Sequence, residues 1–448
     1  MDISDMKLTG AHCRIVAVAS MEQIIGAGLS TVVGIMIPLL AIARGSALPA
    51  FLQGVLGATG LIGIALGSMI LGNLSDRYGY LFYFRLCPVL IFAGAMLVWL
   101  TSSVGWLIAG LFVTGFGVGG GYSLDTDYIS ELMPRKWQSF MVGVAKATSS
   151  LGFFATAGIS YLILKHGFKP EHWSVLMLII AALGLLTLLV RIRFRNSPRW
   201  LLAHGYAAKA QSAARFFFGS DATVSAPPAE KGVSDPEKTS DSLASFFKGD
   251  NLKKVIFSGI PWACEGVGVY GVGVFLPLLV AALGIAGSEQ SAGLTHVVSS
   301  VELTAVINFF ILPGFVLGLM VVERMSLVKM LSGGFFISAV GLTVLLVAYL
   351  LKWPVWISVA AFVIFEIFLN AGPHLVTFII PAKIYSVANR GTGSGISAMI
   401  GKTGAILGVF FMPLLLKWGG ITLVLCVCIA VSVIGALISL IYGRIVLK

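Results

Sequence analysis

Carboxylates stand inside long apolar runs of this 448-residue chain, at Glu22, Asp125, Asp127, Glu265, Glu302 and Glu366. Lys146, Lys402, His296 and His374 occupy the same kind of run. An ionisable group at a bilayer centre costs at least about 2.5 kcal/mol on insertion scales, so each needs a partner or a task. A desolvated carboxylate holds its proton more tightly and can load and release it as access alternates, which is the chemistry expected of Glu22, Asp127 and Glu265. Static ion pairing that orders the bundle is the other reading of these acids. Lys402 either holds an anionic ligand or compensates an acid, and Lys146 reads as a partner of Asp125 or Asp127.

Aromatic and amide side chains shape and orient a small polar ligand in an otherwise apolar cavity. Gln23, Tyr122, Trp262, Tyr270, Asn308 and Asn370 are the candidates, joined by Lys402. An intramembrane Asn or Gln serves equally as a hydrogen bond between helices. The cysteines, Cys13, Cys87, Cys264, Cys426 and Cys428, lack metal-ligand spacing and read as small buried hydrophobes. His296 and His374 read as hydrogen-bonding residues rather than ligands, so neither metal nor cofactor is expected. The glycines from Gly117 to Gly121 lie in an apolar run with no phosphate-loop lysine after them. No serine, histidine and acid set converges either, which argues against an enzyme.

The elements that must carry these residues follow from composition. The chain is 58% hydrophobic and 11% charged, with mean hydropathy +0.97, far from the balance of a water-soluble domain. A bilayer is its solvent. About 20 apolar residues make one crossing, and the runs read as about twelve spans: 15–42, 50–74, 81–101, 106–131, 139–163 and 173–190, then 255–284, 293–321, 329–350, 354–381, 392–416 and 420–443. The expected fold is an all-α membrane protein of two six-helix halves, 1–190 and 255–448. Between them 191–254 forms a central loop, opening on Arg191, Arg193, Arg195 and Arg199, with short amphipathic helices and then a Ser, Pro, Asp and Lys-rich linker. Two related halves joined in this way can rock about a site at their interface.

Net charge +11 reflects topology rather than nucleic-acid binding, because the basic residues are scattered between apolar runs. Lys7, Arg14, Arg77, Arg135, Lys136, the central loop, Arg324, Lys329, Lys383, Arg390, Arg444 and Lys448 fall on one side; Arg44, Lys165, Lys169, Lys352 and Lys417 fall on the other. The basic side is the cytoplasmic one, so both termini are expected inside a multi-pass protein of the cell (inner) membrane. The N-terminal stretch, with acids before Lys7 and no small-residue cleavage site, does not read as a signal peptide.

Four stretches carry a resemblance. Gly72-Asn-Leu-Ser-Asp76-Arg77-Tyr-Gly79-Tyr80, between spans 2 and 3, resembles the G-x-x-x-D-R-x-G-R signature of the major facilitator superfamily, with Tyr80 in place of the final basic residue. Tyr128-Ile-Ser-Glu131-Leu-Met-Pro134-Arg135 and Asn196-Ser-Pro198-Arg199-Trp200-Leu-Leu202 resemble stretches of its sugar porter family and of related organic-ion and phosphate carriers. Asp76, Arg77, Glu131, Arg135 and Arg199 would then form a salt-bridge lattice that latches one conformational state. The run from Asn370 through Gly372-Pro373-His374, Pro381 and Arg390 to Gly401-Lys402 is similar to proton-coupled phosphate permeases, as are Tyr122, Trp262 and Tyr270. Gly121 and Gly266 stand where that family carries aspartates.

The resemblance implies a secondary transporter, coupled to protons, that takes up a small polar metabolite by alternating access. The expected partners are the bilayer, protons and a small organic anion or sugar, with the protein acting as a monomer. Export of amphiphilic compounds on the same fold is one alternative, although the run 139–163 lacks the prolines it favours. A transporter-like nutrient sensor is another.

Overall fold

The computed structural model describes residues 2–3, 5–219, 221–224, 243–284, 293–385 and 390–447. The apolar runs are helical, because in hydrocarbon a segment must satisfy its own backbone N–H and C=O groups. In the amino-terminal part the helices are α1 (Gly10–Ala19), α2 (Met21–Ala43), α3 (Ala50–Tyr78), α4 (Tyr80–Leu100), α5 (Val104–Leu132), α6 (Gln138–Ala147), α7 (Ser149–Lys165) and α8 (Met177–Arg191). Short helices α9 (Pro198–Ala203) and α10 (Ala207–Phe218) follow. The remainder are α11 (Gly249–Gly266), α12 (Leu276–Ala282), α13 (Leu294–Phe309), α14 (Ile311–Val321), α15 (Leu327–Leu350), α16 (Val355–Leu369), α17 (Leu375–Ile384) and α18 (Arg390–Val446).

Among the described residues 11 helical stretches are long and apolar enough to cross a membrane. The last of them breaks at Gly419 and Gly420, and Gly420 takes φ +63°, a left-handed conformation that needs a residue without Cβ. It therefore serves as two spans, and the expected twelve are present. The surface that hydrocarbon would cover is apolar: Met69, Phe336, Trp356 and Leu437 all point outward. Two cysteines depart from expectation. Cys13 and Cys426 are exposed rather than buried, and Cys426 lies on the outer side of a helix where an apolar environment suits it equally.

The contacts gather the chain into two compact units. The first comprises Met1–Gly26, Ile62–Ser149 and Leu178–Thr239. Its helices approach closely at α3 and α5, where a Cβ on Gly67 would strike the Phe116 carbonyl oxygen and one on Gly119 the Ile64 carbonyl oxygen. Its core joins Ile15, Val16, Phe84, Tyr128 and Ile129 to Phe194, Trp200 and Phe217 of the central segment. That segment is docked as well as packed: the Tyr128 hydroxyl donates to the Arg195 carbonyl at 2.7 Å, and Leu81 N–H donates to Asn196 Oδ1 at 2.9 Å. Gly79, at φ +97°, leaves room for the Trp200 ring. The N-terminus joins here too, with Ile3 N–H donating to the Thr223 carbonyl at 3.0 Å and its side chain packed on Ala214 and Ala222.

The second unit comprises Ala27–Leu61, Ser150–Met177 and Ser240–Lys448. Its centre is the crossing of α11 and α18, where Gly266 lies so close to Gly401 that a Cβ would stand 2.8 Å from the Gly401 carbonyl oxygen. Two π-helical turns, Val267–Val272 after α11 and Asn370–His374 after α16, each insert an extra residue into a spanning helix. Such turns displace the side-chain register locally and free backbone groups, and they recur at functional sites.

Candidate functional site

In the first unit the break at Ser20 starts α2 at Met21, which puts Glu22 in the first turn and Gln23 beside it. Helix α5 brings Tyr122 and Asp125, and α8 ends on Arg191. Arg191 is not the opening residue of a polar loop, as its neighbours in sequence implied. It is the last residue of a spanning helix and is 0% exposed. Its Nη2 bonds Glu22 Oε2 and, at 2.7 Å, Asp125 Oδ1; it also donates to the Val18 carbonyl at 3.2 Å. Nη1 donates to the Phe84 carbonyl at 3.3 Å, and the guanidinium lies 3.7 Å from the Phe84 ring centroid. Glu22 and Asp125 are 0% and 2% exposed, so two carboxylates face one cation without water to screen them.

Around this triad the glycines serve the aromatic and acidic side chains. A Cβ on Gly121 would overlap the Glu22 side chain, and one on Gly26 would overlap the Tyr122 hydroxyl. The Lys146 ammonium, on the buried side of α6, lies 5.8 Å from the Tyr122 ring centroid. Gln23 is buried, and its Oε1 accepts no hydrogen bond from the described residues. The sequence placed Glu22, Gln23 and Tyr122 among the site residues, and the structure brings Asp125, Lys146 and Arg191 to them. Only Arg191 had no part in that reading.

In the second unit Trp262 and Glu265 lie on α11, Tyr270 on the π turn that follows, Asn370 and His374 on the other π turn, and Lys402 on α18. The Lys402 Nζ lies 5.1 Å from the Tyr270 ring centroid, close enough for a cation–π contact. Trp262 packs edge-on against Phe378 with ring centroids 5.8 Å apart, and Gly401 sits against its ring face. Glu265 Oε1 is 3.5 Å from His374 Nε2, and both residues are buried. Asn370 bonds to Glu366 and His374 on its own helix. Asn308, by contrast, donates through Nδ2 to the Phe153 carbonyl at 3.4 Å, the interhelical use of an amide.

Of the residues expected at the latch, Glu131 is half-buried at the end of α5 and Arg199 donates through Nη2 to the Met133 carbonyl at 3.4 Å. The side chains of Asp76, Arg77 and Arg135, and that of the expected proton carrier Asp127, lie outside the described residues.

The chain matches the partially occluded inward-open form of the xylose transporter XylE from E. coli with TM-score 0.77 at 18% identity, over 96% of this chain and 97% of that one. The fold is thus that of the major facilitator superfamily, to which a second XylE structure is explicitly assigned. Residues 24–443 match the family model described as "Sugar (and other) transporter", and the chain belongs to that family. Among curated relatives, the inner membrane metabolite transport protein YgcS of Escherichia coli is 24% identical over 98% of this chain and 92% of its own length. The glucose transporter GlcP of Staphylococcus epidermidis is 23% identical over 81% of this chain and 79% of its own length. A repressible high-affinity phosphate permease of Neurospora crassa is 25% identical over 68% of this chain and 59% of its own length.

Proposed function

We propose that this transporter takes up a small polar metabolite, an organic anion or a sugar, together with protons by alternating access. The observation that carries the coupling reading is the buried set Glu22, Asp125 and Arg191. With all three ionised the set holds one net negative charge out of water, a costly state that one added proton neutralises. Loading a proton at this set, and losing it when the set meets the other side of the membrane, links a charge change to a conformational one. Glu265 provides a second buried acid, and Asp127 is the further proton carrier of this reading. In this reading Gln23, Tyr122, Trp262, Tyr270, Asn308, Asn370 and Lys402 serve the metabolite, and the buried acceptor Gln23 Oε1 and the cation Lys402 give it polar handles. Both termini face the cytoplasm of the cell, in keeping with the basic residues collected on that side.

The direct test has two stages. A thermal-shift screen of purified protein against sugars, organic acids and phosphate identifies the ligand by its stabilisation of the folded state. Uptake of that ligand into proteoliposomes is then measured with and without an inwardly directed proton gradient. Accumulation that is unchanged by collapsing the gradient with a protonophore would rule out proton symport.

The halves 1–190 and 255–448 rock about the site in this scheme. Coexpressed as separate chains, with the central segment left on the first so that it keeps Arg191, they are expected to reassemble into a membrane complex that binds ligand; persistent failure to copurify would sink the two-body mechanism.

Asp76 and Glu131 act in the scheme as latch residues away from the ligand. Asp76→Asn and Glu131→Gln are therefore expected to lower the turnover rate several-fold, the effect of losing a latching pair of about 0–1 kcal/mol, while leaving the dissociation constant within about twofold. Rapid-filtration uptake and equilibrium binding on the same preparations separate the two quantities. Weakened binding at unchanged turnover would assign these residues to the site instead.

A further inference from the structure

A cleft of about 530 Å³ opens on the first unit where the start of α4 meets the end of α8 and the segment that follows it. The apolar runs of both helices end here, at Leu81 and at Arg191, so the cleft lies at the boundary between hydrocarbon and water. Phe82, Leu86, Val89 and Leu188 give it apolar walls, and Phe82 and Val89 stand exposed on the face that hydrocarbon would cover. Its polar side chains are Tyr78, Arg85 and Asn196, and no acid lines it.

Arg85 and Asn196 both present donors to this space. Asn196 Oδ1 accepts the Leu81 N–H at 2.9 Å, which turns Nδ2 away from the α4 backbone, and Nδ2 bonds to none of the described residues. Arg85 stands four residues beyond Leu81, about 6 Å inside the apolar run. Its Nη2 donates to the Ile192 carbonyl at 2.6 Å and to the Phe194 carbonyl at 3.3 Å. Among the described residues Nε has no acceptor, Nη1 has no bond, and no carboxylate pairs with the guanidinium. Two carbonyl oxygens thus use part of the five N–H donors and leave the charge without a counter-ion. Arg191, by contrast, has two carboxylates.

A cation inside an apolar run, beside an amide that turns its N–H groups to the same space, fits an anion rich in acceptor oxygens. The walls decide the rest of the ligand. A free inorganic anion would leave Phe82, Leu86 and Val89 uncovered, whereas a lipid sets its phosphate against the donors and an acyl chain along the apolar side. Basic pockets between spanning helices at the membrane surface are suited to such headgroups.

We propose that this cleft binds one anionic phospholipid, its phosphate held by Arg85 Nη1 and Asn196 Nδ2 and an acyl chain lying along Phe82, Leu86 and Val89. On the orientation proposed above, the lipid comes from the cytoplasmic leaflet. Seated there it joins α4 to residues 192–196 and reinforces the docking of the central segment. The site stands on the cleft and its donors, whatever the protein transports.

Native mass spectrometry of the full-length protein titrated with phosphatidylglycerol counts the lipids bound. One should be retained in preference to phosphatidylcholine, whose headgroup has no net charge. Arg85→Gln removes the cation; Asn196→Asp keeps an acceptor for the Leu81 N–H but puts a carboxylate oxygen where the donor was. Each should weaken retention roughly ten- to a hundredfold, the scale of a lost charge-assisted hydrogen bond. Phosphatidylglycerol should also raise the melting temperature of the unsubstituted protein and of neither variant. Should Arg85→Gln fail to fold because two carbonyls lose their donor, Asn196→Asp, which retains those bonds, decides. Lys209→Gln, an equal loss of charge on α10 at a residue that does not line the cleft, should leave retention unchanged. Equal weakening in Lys209→Gln would assign the lipid to a diffuse basic surface. Undiminished retention in Asn196→Asp would remove the lipid from the cleft, and displacement by inorganic phosphate would make the occupant a free anion. Each of these three results overturns the proposal.

Discussion

Arg191→Gln is expected to leave little folded protein and no measurable uptake. The substitution removes the only cation that the triad contains and strands Glu22 and Asp125 against each other, both fully or almost fully buried. Breaking a buried pair by taking one partner costs about 3–5 kcal/mol, and here two carboxylates lose the same partner. The cost falls on the fold, because Arg191 also ties the α1 and α4 backbones together through the Val18 and Phe84 carbonyls. Neutralising the acids at the same time separates these contributions. In Arg191→Gln with Asp125→Asn and Glu22→Gln, the charge conflict is gone and most of the lost melting temperature should return, while gradient-driven uptake stays absent. Detergent-solubilised protein followed by fluorescence-detected size exclusion over a temperature series gives the first quantity, and proteoliposome uptake gives the second. A single Arg191→Gln that melts and transports as the unsubstituted protein does would remove the triad from both folding and coupling.

The triad also marks where reading the chain as residues stops short. Glu22 and Asp125 were legible as acids in apolar runs, since each violates the composition around it. Arg191 was not, because it is followed by Arg193, Arg195 and Arg199 and therefore looks like the first of a row of loop arginines. The difference is one residue at the end of α8, within the uncertainty of any boundary drawn from hydropathy. A charge argument would have found it: two buried acids in neighbouring runs require a cation, and an arginine at the last position of an apolar run is long enough to reach back. The fold itself was readable, because span length is imposed by the bilayer and the loop motifs carry the family's pattern. The central segment was readable only as amphipathic helices. Its docking through Asn196, Trp200 and the Tyr128 hydroxyl depends on contacts between residues distant in sequence.

The second unit teaches a different limit. The four-residue spacing of Glu366, Asn370 and His374 is visible in the sequence and puts them on one helical face, but an ordinary helix does not say what that face meets. The π turn does, and its local cause, Gly372 followed by Pro373, is visible too. Proline cannot donate the next backbone hydrogen bond, and glycine accepts the close approach of the Met330 carbonyl oxygen. Asn308 shows the converse. As an amide in an apolar run it is indistinguishable by type from Gln23, yet it donates to a backbone carbonyl, whereas the Gln23 side-chain oxygen accepts nothing from the described residues.

Lys402 is where the nature of the cargo is decided. If its ammonium contacts an anionic ligand directly, Lys402→Gln should weaken binding roughly ten- to a hundredfold, the equivalent of losing a charge-assisted hydrogen bond of about 1.5–3 kcal/mol. Glu265→Gln should then leave affinity nearly unchanged and remove the dependence of uptake on the proton gradient. If Lys402 instead serves to balance a buried acid, its removal alone strands that acid, and binding falls together with stability. The two cases part in a double-mutant cycle that pairs Lys402→Gln with Glu22→Gln, Asp127→Asn and Glu265→Gln in turn. An anion-binding lysine gives doubles no better than Lys402→Gln itself, because the lost contact is with the ligand. A charge-balancing lysine gives one double in which binding and melting temperature recover together, with a coupling energy of about 0.5–3 kcal/mol. Isothermal titration of the ligand and thermal melts on the same preparations supply every corner of the cycle. Recovery in any double would move the cargo from an organic anion to a neutral sugar, for which the aromatic surface of Trp262 and Tyr270 and the amide of Gln23 provide the contacts, and Lys402 would become the balancing charge of the acid whose removal restored it.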